Sequence, residues 1–250
     1  YESINTIKQI ISLNGIKKLI IENDYMTFKQ YEQYVETLGV MIIRLDTKEI
    51  RSIKCEEEIK YLQKSADIAV KAIEETRKWI KIGVTEVEVK HYLHNHMISN
   101  CATAVSFDLI VAFGKNTANP HHIAGNDKLK NNQLVTLDIG CIYNNYCSDI
   151  TRTFFVGDKP TKAQKEIFDL VLQAQQLGLN STSVGMSGKG LDAIVRDYIS
   201  KDKRFGKLFV HALGHGVGIE IHEFPNVNPK YDKALPNNCV VQIEPGVYED

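Results

Sequence analysis

The sequence predicts an α/β fold made of two similar halves around one cleft, with a shorter αβ segment in front. Three observations lead there. Residues 134–155 read as two β-branched, apolar strands about a tight turn. Capped amphipathic helices lead into each strand region. The string Ile82-Gly83-Val84-Thr85 returns as Val184-Gly185-Met186-Ser187, so the order helix, glycine break, helix, strands occurs twice.

The front segment is strand, helix, strand. KLIIE and VMIIRL are strand-like, and TFKQYEQYVETLG between them carries a Thr27-x-x-Gln30 capping signal and Gly39 as a stop. From about residue 56 a long helix follows. Ile59, Leu62, Ala66, Ala69, Ile73, Thr76 and Ile80 form its apolar face, Glu56, Glu57 and Glu58 fill its first turn, and Gly83 is expected to close it. Thr85-x-x-Glu88 starts the next helix. LVTLDIG and YCSDITRTFF are the hairpin strands, and the Asn144-Asn145 turn tolerates φ > 0. Thr161-x-x-Gln164 caps a third helix with Ile167, Leu170, Val171, Ala174 and Leu177 on one side. Leu191, Ile194, Val195 and Tyr198 mark a fourth. CVVQIE is expected to be a strand that buries Cys239, Val241 and Ile243, presents Glu244 on the other face, and ends at Pro245-Gly246.

Composition narrows the class. A chain of 250 residues can bury a substantial core and holds one large or two small domains. A formal charge of -1 gives no general attraction to nucleic acid or to an anionic membrane. No apolar run is long enough to span a bilayer and no signal-peptide pattern is present, which points to the cytoplasm. The five cysteines, Cys55, Cys101, Cys141, Cys147 and Cys239, are odd in number and lack CxxC spacing, as expected of reduced thiols. Cys147 shares a strand face with Asp149 and reads as a small buried hydrophobe.

Asp138, Asp149, His215 and Glu244 sit in the short segments TLDIG, CSDITRTF, GHGVGIEIHE and QIEPG. If Asn144-Asn145 is a two-residue loop, Asp138 pairs with Thr151. Asp149 is then its diagonal neighbour on the same face, roughly 7–8 Å away at the backbone. Two carboxylates held so close repel unless a cation lies between them. The competing reading is a solvated acidic hairpin, but Val135, Leu137, Ile139, Ile150 and Phe154 make the other face strongly apolar. His211 and His215 have the spacing of a helical zinc motif, yet HALGH lacks the glutamate and Gly214, Gly216 and Gly218 oppose a helix. His91, His94 and His96 read as surface residues of a helix, His122 is undecided, and Arg152 and Thr153 read as structural.

From about Ile50 to Asp250 the chain resembles the Xaa-Pro peptidases, the aminopeptidase P and prolidase group with the pita-bread fold. RSIKCEEEIKYLQKSADIA, SFDLIVAFGKNTANPHH, LDIGCIYNNYCSDITRTFFVG, HALGHGVGIEIHE and IEPGVY match in order and approximate spacing. The resemblance implies that residues 51–250 are a catalytic pita-bread domain and residues 1–50 part of a smaller N-terminal domain. It implies that Asp138, Asp149, His215 and Glu244 are ligands of two divalent ions. The donors favour manganese, iron or cobalt over a thiolate-rich zinc site, although zinc stays open. Two such ions activate water at neutral pH and polarise a carbonyl.

By the same resemblance Glu244 handles the proton of the attacking water, His222 and His121 stabilise the oxyanion, and His211 shapes the proline pocket. The implied partner is a peptide with proline at its second position. A homodimer is left open. The alternatives are a methionine aminopeptidase, which shares the fold, and an inactive peptide-binding module. The family also has a second glutamate in an RIED-type segment after EPG, whereas EPGVYED ends at Asp250. Glu249 lies five positions beyond Glu244, and strand alternation would turn it away. The start at Tyr1 and this ending are expected of a fragment that lacks residues, holds at most one metal tightly and is nearly inactive.

Overall fold

A computed structural model describes residues 3–22 and 25–249. They form two compact units that divide in sequence between Ile50 and Arg51. The first runs α1 (Ser3–Leu13), β1 (Lys18–Glu22), α2 (Phe28–Leu38) and β2 (Met41–Leu45). Its two strands pair in parallel, with Ile20 opposite Ile43, which requires a crossover such as α2. Thr27 and Gln30 close a reciprocal capping box on α2, and Gly39 ends it in the left-handed conformation. A short α3 (Lys48–Ser52) follows.

The second unit begins with α4 (Glu56–Trp79) and α5 (Glu86–Ser99). Helix α4 ends four residues before Gly83, with Ile80 already extended, so the expectation that Gly83 closes it is corrected. Gly83 instead forms a left-handed turn that lays the chain beside residues 128 and 129. The Gly83 amide donates to the Leu129 carbonyl at 2.8 Å, and the Leu129 amide returns a bond to Val84 at 2.8 Å. The buried stripe of α4 is Leu62, Ser65, Ile68, Ala69, Ala72, Ile73 and Thr76, while Ile59 is exposed. Packing against the neighbouring sheet rotated the face from the one that periodicity selects.

The same device recurs. Gly185 is left-handed, its amide donates to Leu235 at 2.9 Å, and the Leu235 amide returns to Met186 at 2.7 Å. The isolated bridges Thr85 to Lys128 and Ser187 to Ala234 sit at matching places. Helices α6 (Lys162–Ser181) and α7 (Gly188–Ser200) thus repeat α4 and α5. Val89, Leu93 and Met97 of α5 correspond to Leu191, Val195 and Ile199 of α7, and all six are fully buried. Each triad anchors its own core cluster.

The first half continues with β3 (Ala104–Val105), β4 (Ile110–Phe113), β5 (Gln133–Ile139), β6 (Cys141–Tyr143), β7 (Tyr146–Cys147) and β8 (Ile150–Val156). Strands β4, β5 and β8 make one antiparallel sheet and β3, β6 and β7 another. The hairpin has the predicted register, with Tyr143 opposite Tyr146 and Asp138 opposite Thr151, and Asn144 and Asn145 both at positive φ. Its second arm is not one strand. It breaks at Ser148 and Asp149, opposite Gly140, where the chain passes from one sheet to the other. Ser148 stabilises the break: its hydroxyl accepts the Cys141 amide at 3.1 Å, and its carbonyl accepts from Ser106 Oγ at 2.7 Å.

In the second half, β9 (Gly214–Gly216) pairs with β10 (Glu223–Val227). The segment CVVQIE is irregular rather than a ladder strand, with a single bridge from Val241 to Gly216. It still follows the edge of β9, because the Gln242 amide donates to His215 at 2.8 Å and the Glu244 amide to Leu213 at 2.9 Å. Its alternation holds. Cys239, Val241 and Ile243 join the second core, while Val240 packs with Leu62, Cys147 and Val217. All five cysteines are free thiols, and Cys147 is buried with its pKa raised to about 11 by burial. No described helix is long and apolar enough to cross a membrane.

Candidate metal centre

Asp149, His215 and Glu244 converge. One ligand atom from each lies within 4.8 Å of the others. His215 comes from β9, Glu244 from the irregular edge beside it, and Asp149 from the hairpin break, where the Gln242 side-chain amide donates to its carbonyl at 3.1 Å. Asp138 is on β5, hydrogen-bonded from Thr151 Oγ1 at 2.9 Å. It lies against Asp149, whose charge adds to burial in raising its pKa. Burial raises Asp149 as well, and burial with both aspartates raises Glu244 to about 8.

His215 identifies what the cluster can hold. Its Nδ1 lies 3.0 Å from the Gly216 carbonyl, which can only accept, so Nδ1 carries the proton and Nε2 a lone pair. That Nε2 faces Asp149 Oδ2 at 3.6 Å and Glu244 Oε1 at 3.5 Å. Burial lowers the pKa of His215, which keeps the ring neutral. With the carboxyls ionised, a lone pair aimed at two carboxylates, with a third behind them, sets acceptor against acceptor. A divalent cation satisfies all of them and reverses the repulsion, so these residues fit a metal. Three oxygen donors to one imidazole suit a hard or borderline ion.

The His222 ring packs edge-on against His215 at 4.4 Å, and burial lowers its pKa. His211 has its Nδ1 proton on the Ala212 carbonyl at 2.7 Å, and its Nε2 accepts from the Tyr248 hydroxyl at 2.9 Å. His121 is exposed. Glu249 turns to Arg204 in a bidentate pair at 2.6 and 2.8 Å. His91 and His94 are exposed on α5, and His96 stacks on Tyr92.

Residues 60–250 match the model of metallopeptidase family M24. The chain belongs to that family. Three solved structures place it further. A Xaa-Pro dipeptidase from Bacillus anthracis is 40% identical with a TM-score of 0.93, covering 98% of this chain and 69% of its own. An X-Pro aminopeptidase from Thermotoga maritima gives 34% and 0.93, covering 98% and 70%. A prolidase from Pyrococcus furiosus gives 35% and 0.89, covering 100% and 73%. The M24 catalytic unit therefore has the pita-bread fold that the motif series implied.

Sequence reasoning passed over several buried residues near the candidate centre. Glu86, beside the Thr85-x-x-Glu88 capping signal but given no role by it, is fully buried. Its carboxylate accepts from the Phe113 amide at 2.9 Å, Asn116 Nδ2 at 2.8 Å and the Gly125 amide at 3.0 Å, and it meets His122 Nε2 at 2.7 Å. The loop it gathers carries His121, and His122 is thereby assigned. Lys54 and Glu223 form a buried ion pair at 2.9 Å next to His222. Tyr248 was visible only as part of EPGVY. No periodicity signals such residues, because their partners lie far away in the sequence.

Proposed function

We propose that this M24 metallopeptidase hydrolyses the peptide bond between an N-terminal residue and proline. Asp138, Asp149, His215 and Glu244 would hold two divalent ions, with manganese the foremost choice. The observation that carries the reading is the neutral His215 Nε2 directed at Asp149 and Glu244, within a chain of this family. When bound, the ions lower the pKa of water and polarise the scissile carbonyl. Glu244 takes the proton released as water attacks. His222 and His121 donate to the carbonyl oxygen as negative charge develops there. His211, oriented by Tyr248, lines the pocket for the proline ring.

Solved structures similar to this chain carry both dipeptidase and aminopeptidase names, which supports a proline-directed substrate and leaves its length to experiment. The free cysteines accord with a reducing compartment, and we assign the protein to the cytoplasm. The test is a panel of X-Pro dipeptides, longer X-Pro peptides, matched X-Ala peptides and Met-Ala peptides. We expect turnover of one or both X-Pro classes. Preference for Met-Ala would replace the reading with a methionine aminopeptidase, and no turnover of any member by the metal-loaded full-length protein would leave a binding module.

A further inference from the structure

The stretch from Phe209 to Leu213 carries His211, yet it belongs to no helix or strand. One side-chain pair on α7 fixes its backbone. Arg196 donates from Nη1 to the Phe209 carbonyl at 3.0 Å and from Nη2 to the His211 carbonyl at 2.7 Å. Asp192, almost fully buried, receives Arg196 Nε at 2.7 Å and Nη2 at 2.9 Å, and it also accepts the Leu213 amide at 3.0 Å. The pair thus grips residues 209, 211 and 213 in turn.

Two further contacts extend the grip to side chains. The Arg196 guanidinium lies 4.2 Å above the Phe209 ring, and that ring meets the His211 ring edge-on at 5.1 Å. The Leu213 carbonyl then receives the Glu244 amide at 2.9 Å. On the other side α7 is immobilised by Leu191, Val195 and Ile199, each fully buried. A guanidinium fork spanning two carbonyls and a carboxylate is a rigid connector, and lysine cannot reproduce it.

We propose that Asp192 and Arg196 are positioning residues that set His211 for binding the proline of the substrate. The proposal rests on the reading of His211 given above. Arg196→Lys keeps a cation beside Asp192 but cannot reach both carbonyls. It should raise KM for an X-Pro peptide by about tenfold, the scale of one lost hydrogen bond, with kcat and metal content little changed. His211→Ala should raise KM too, and the double variant R196K/H211A should be no worse than H211A alone, because the first change acts through the second residue. The His211 ring nitrogen resonances should shift in R196K.

Additive effects of R196K and H211A on KM, or a KM unchanged by R196K, would overturn the proposal. An H211A protein with unchanged KM would sink the proline-pocket role of His211 instead. The ring resonances of R196K would then decide whether Arg196 positions that histidine, and resonances left unmoved would count against it. Truncating Arg196 alone strands a buried carboxylate, so D192N/R196M, which removes both charges together, serves as the second variant and should reproduce the rise in KM.

Discussion

At the residue scale, His215 and His222 lie in ring contact but are built for different work. The Nε2 lone pair of His215 faces the carboxylates of Asp149 and Glu244, whereas His222 packs edge-on against the His215 ring. His215→Ala should therefore lower metal occupancy itself. His222→Ala should keep its metal and lose turnover by roughly 10²-fold or more, as for a lost oxyanion donor. Elemental analysis of both variants beside kcat separates the roles, and the reverse pattern would show that the assignment is wrong. Glu244 adds a pH dependence. Its folded pKa is raised from 4.5 to about 8. The metal-free fold therefore keeps a proton that the unfolded chain has lost, and its stability from this group, full below 4.5, declines as pH rises through 8. Thermal unfolding of metal-stripped protein should show that decline, and added manganese should raise the midpoint more at the upper end of this range than at the lower. An equal rise across the range would contradict it.

At the element scale, the edge of β9 leaves no room for side chains. A Cβ on Gly214 would lie 1.8 Å from the Gln242 carbonyl oxygen, which is backbone and cannot swing aside. Gly214→Ala should destabilise the protein by about 3 kcal/mol or more, since it separates the two segments that present His215 and Glu244. Denaturant unfolding with metal analysis would check this, and a fully stable variant with full metal content would refute it. Glu86→Ala leaves the Phe113 and Gly125 amides without their acceptor, at about 1–3 kcal/mol for each buried donor. Faster amide exchange in residues 113–125, with the hairpin unaffected, is the expected signature. The register of the hairpin was legible because a two-residue asparagine turn determines every pair along both arms. The break at Asp149 was not, since Ser106 and the opposing Gly140 impose it from outside the strand pattern. Nor was the irregularity of CVVQIE, whose alternation is regular while its ladder is incomplete.

At the scale of the whole molecule, the second unit is one αβ layout used twice, with the candidate centre where the copies meet. Asp138 and Asp149 come from the first copy, His215 and Glu244 from the second. The faint echo of Gly83 in Gly185 predicted that layout because a left-handed turn after a helix is a strong local constraint. The buried acids Glu86 and Asp192 left no such trace, since a carboxylate looks the same in sequence whether water or a distant amide solvates it. We propose this assembled centre as that of a metal-dependent, proline-directed peptidase. The most direct measurement follows hydrolysis of an X-Pro peptide and its X-Ala counterpart by the full-length protein, stripped of metal and then reconstituted with manganese. Negligible activity when stripped, recovery with manganese, and cleavage of X-Pro with X-Ala spared are the expected results. X-Pro cleavage that persists without metal, or equal turnover of the two peptides, would contradict the proposal.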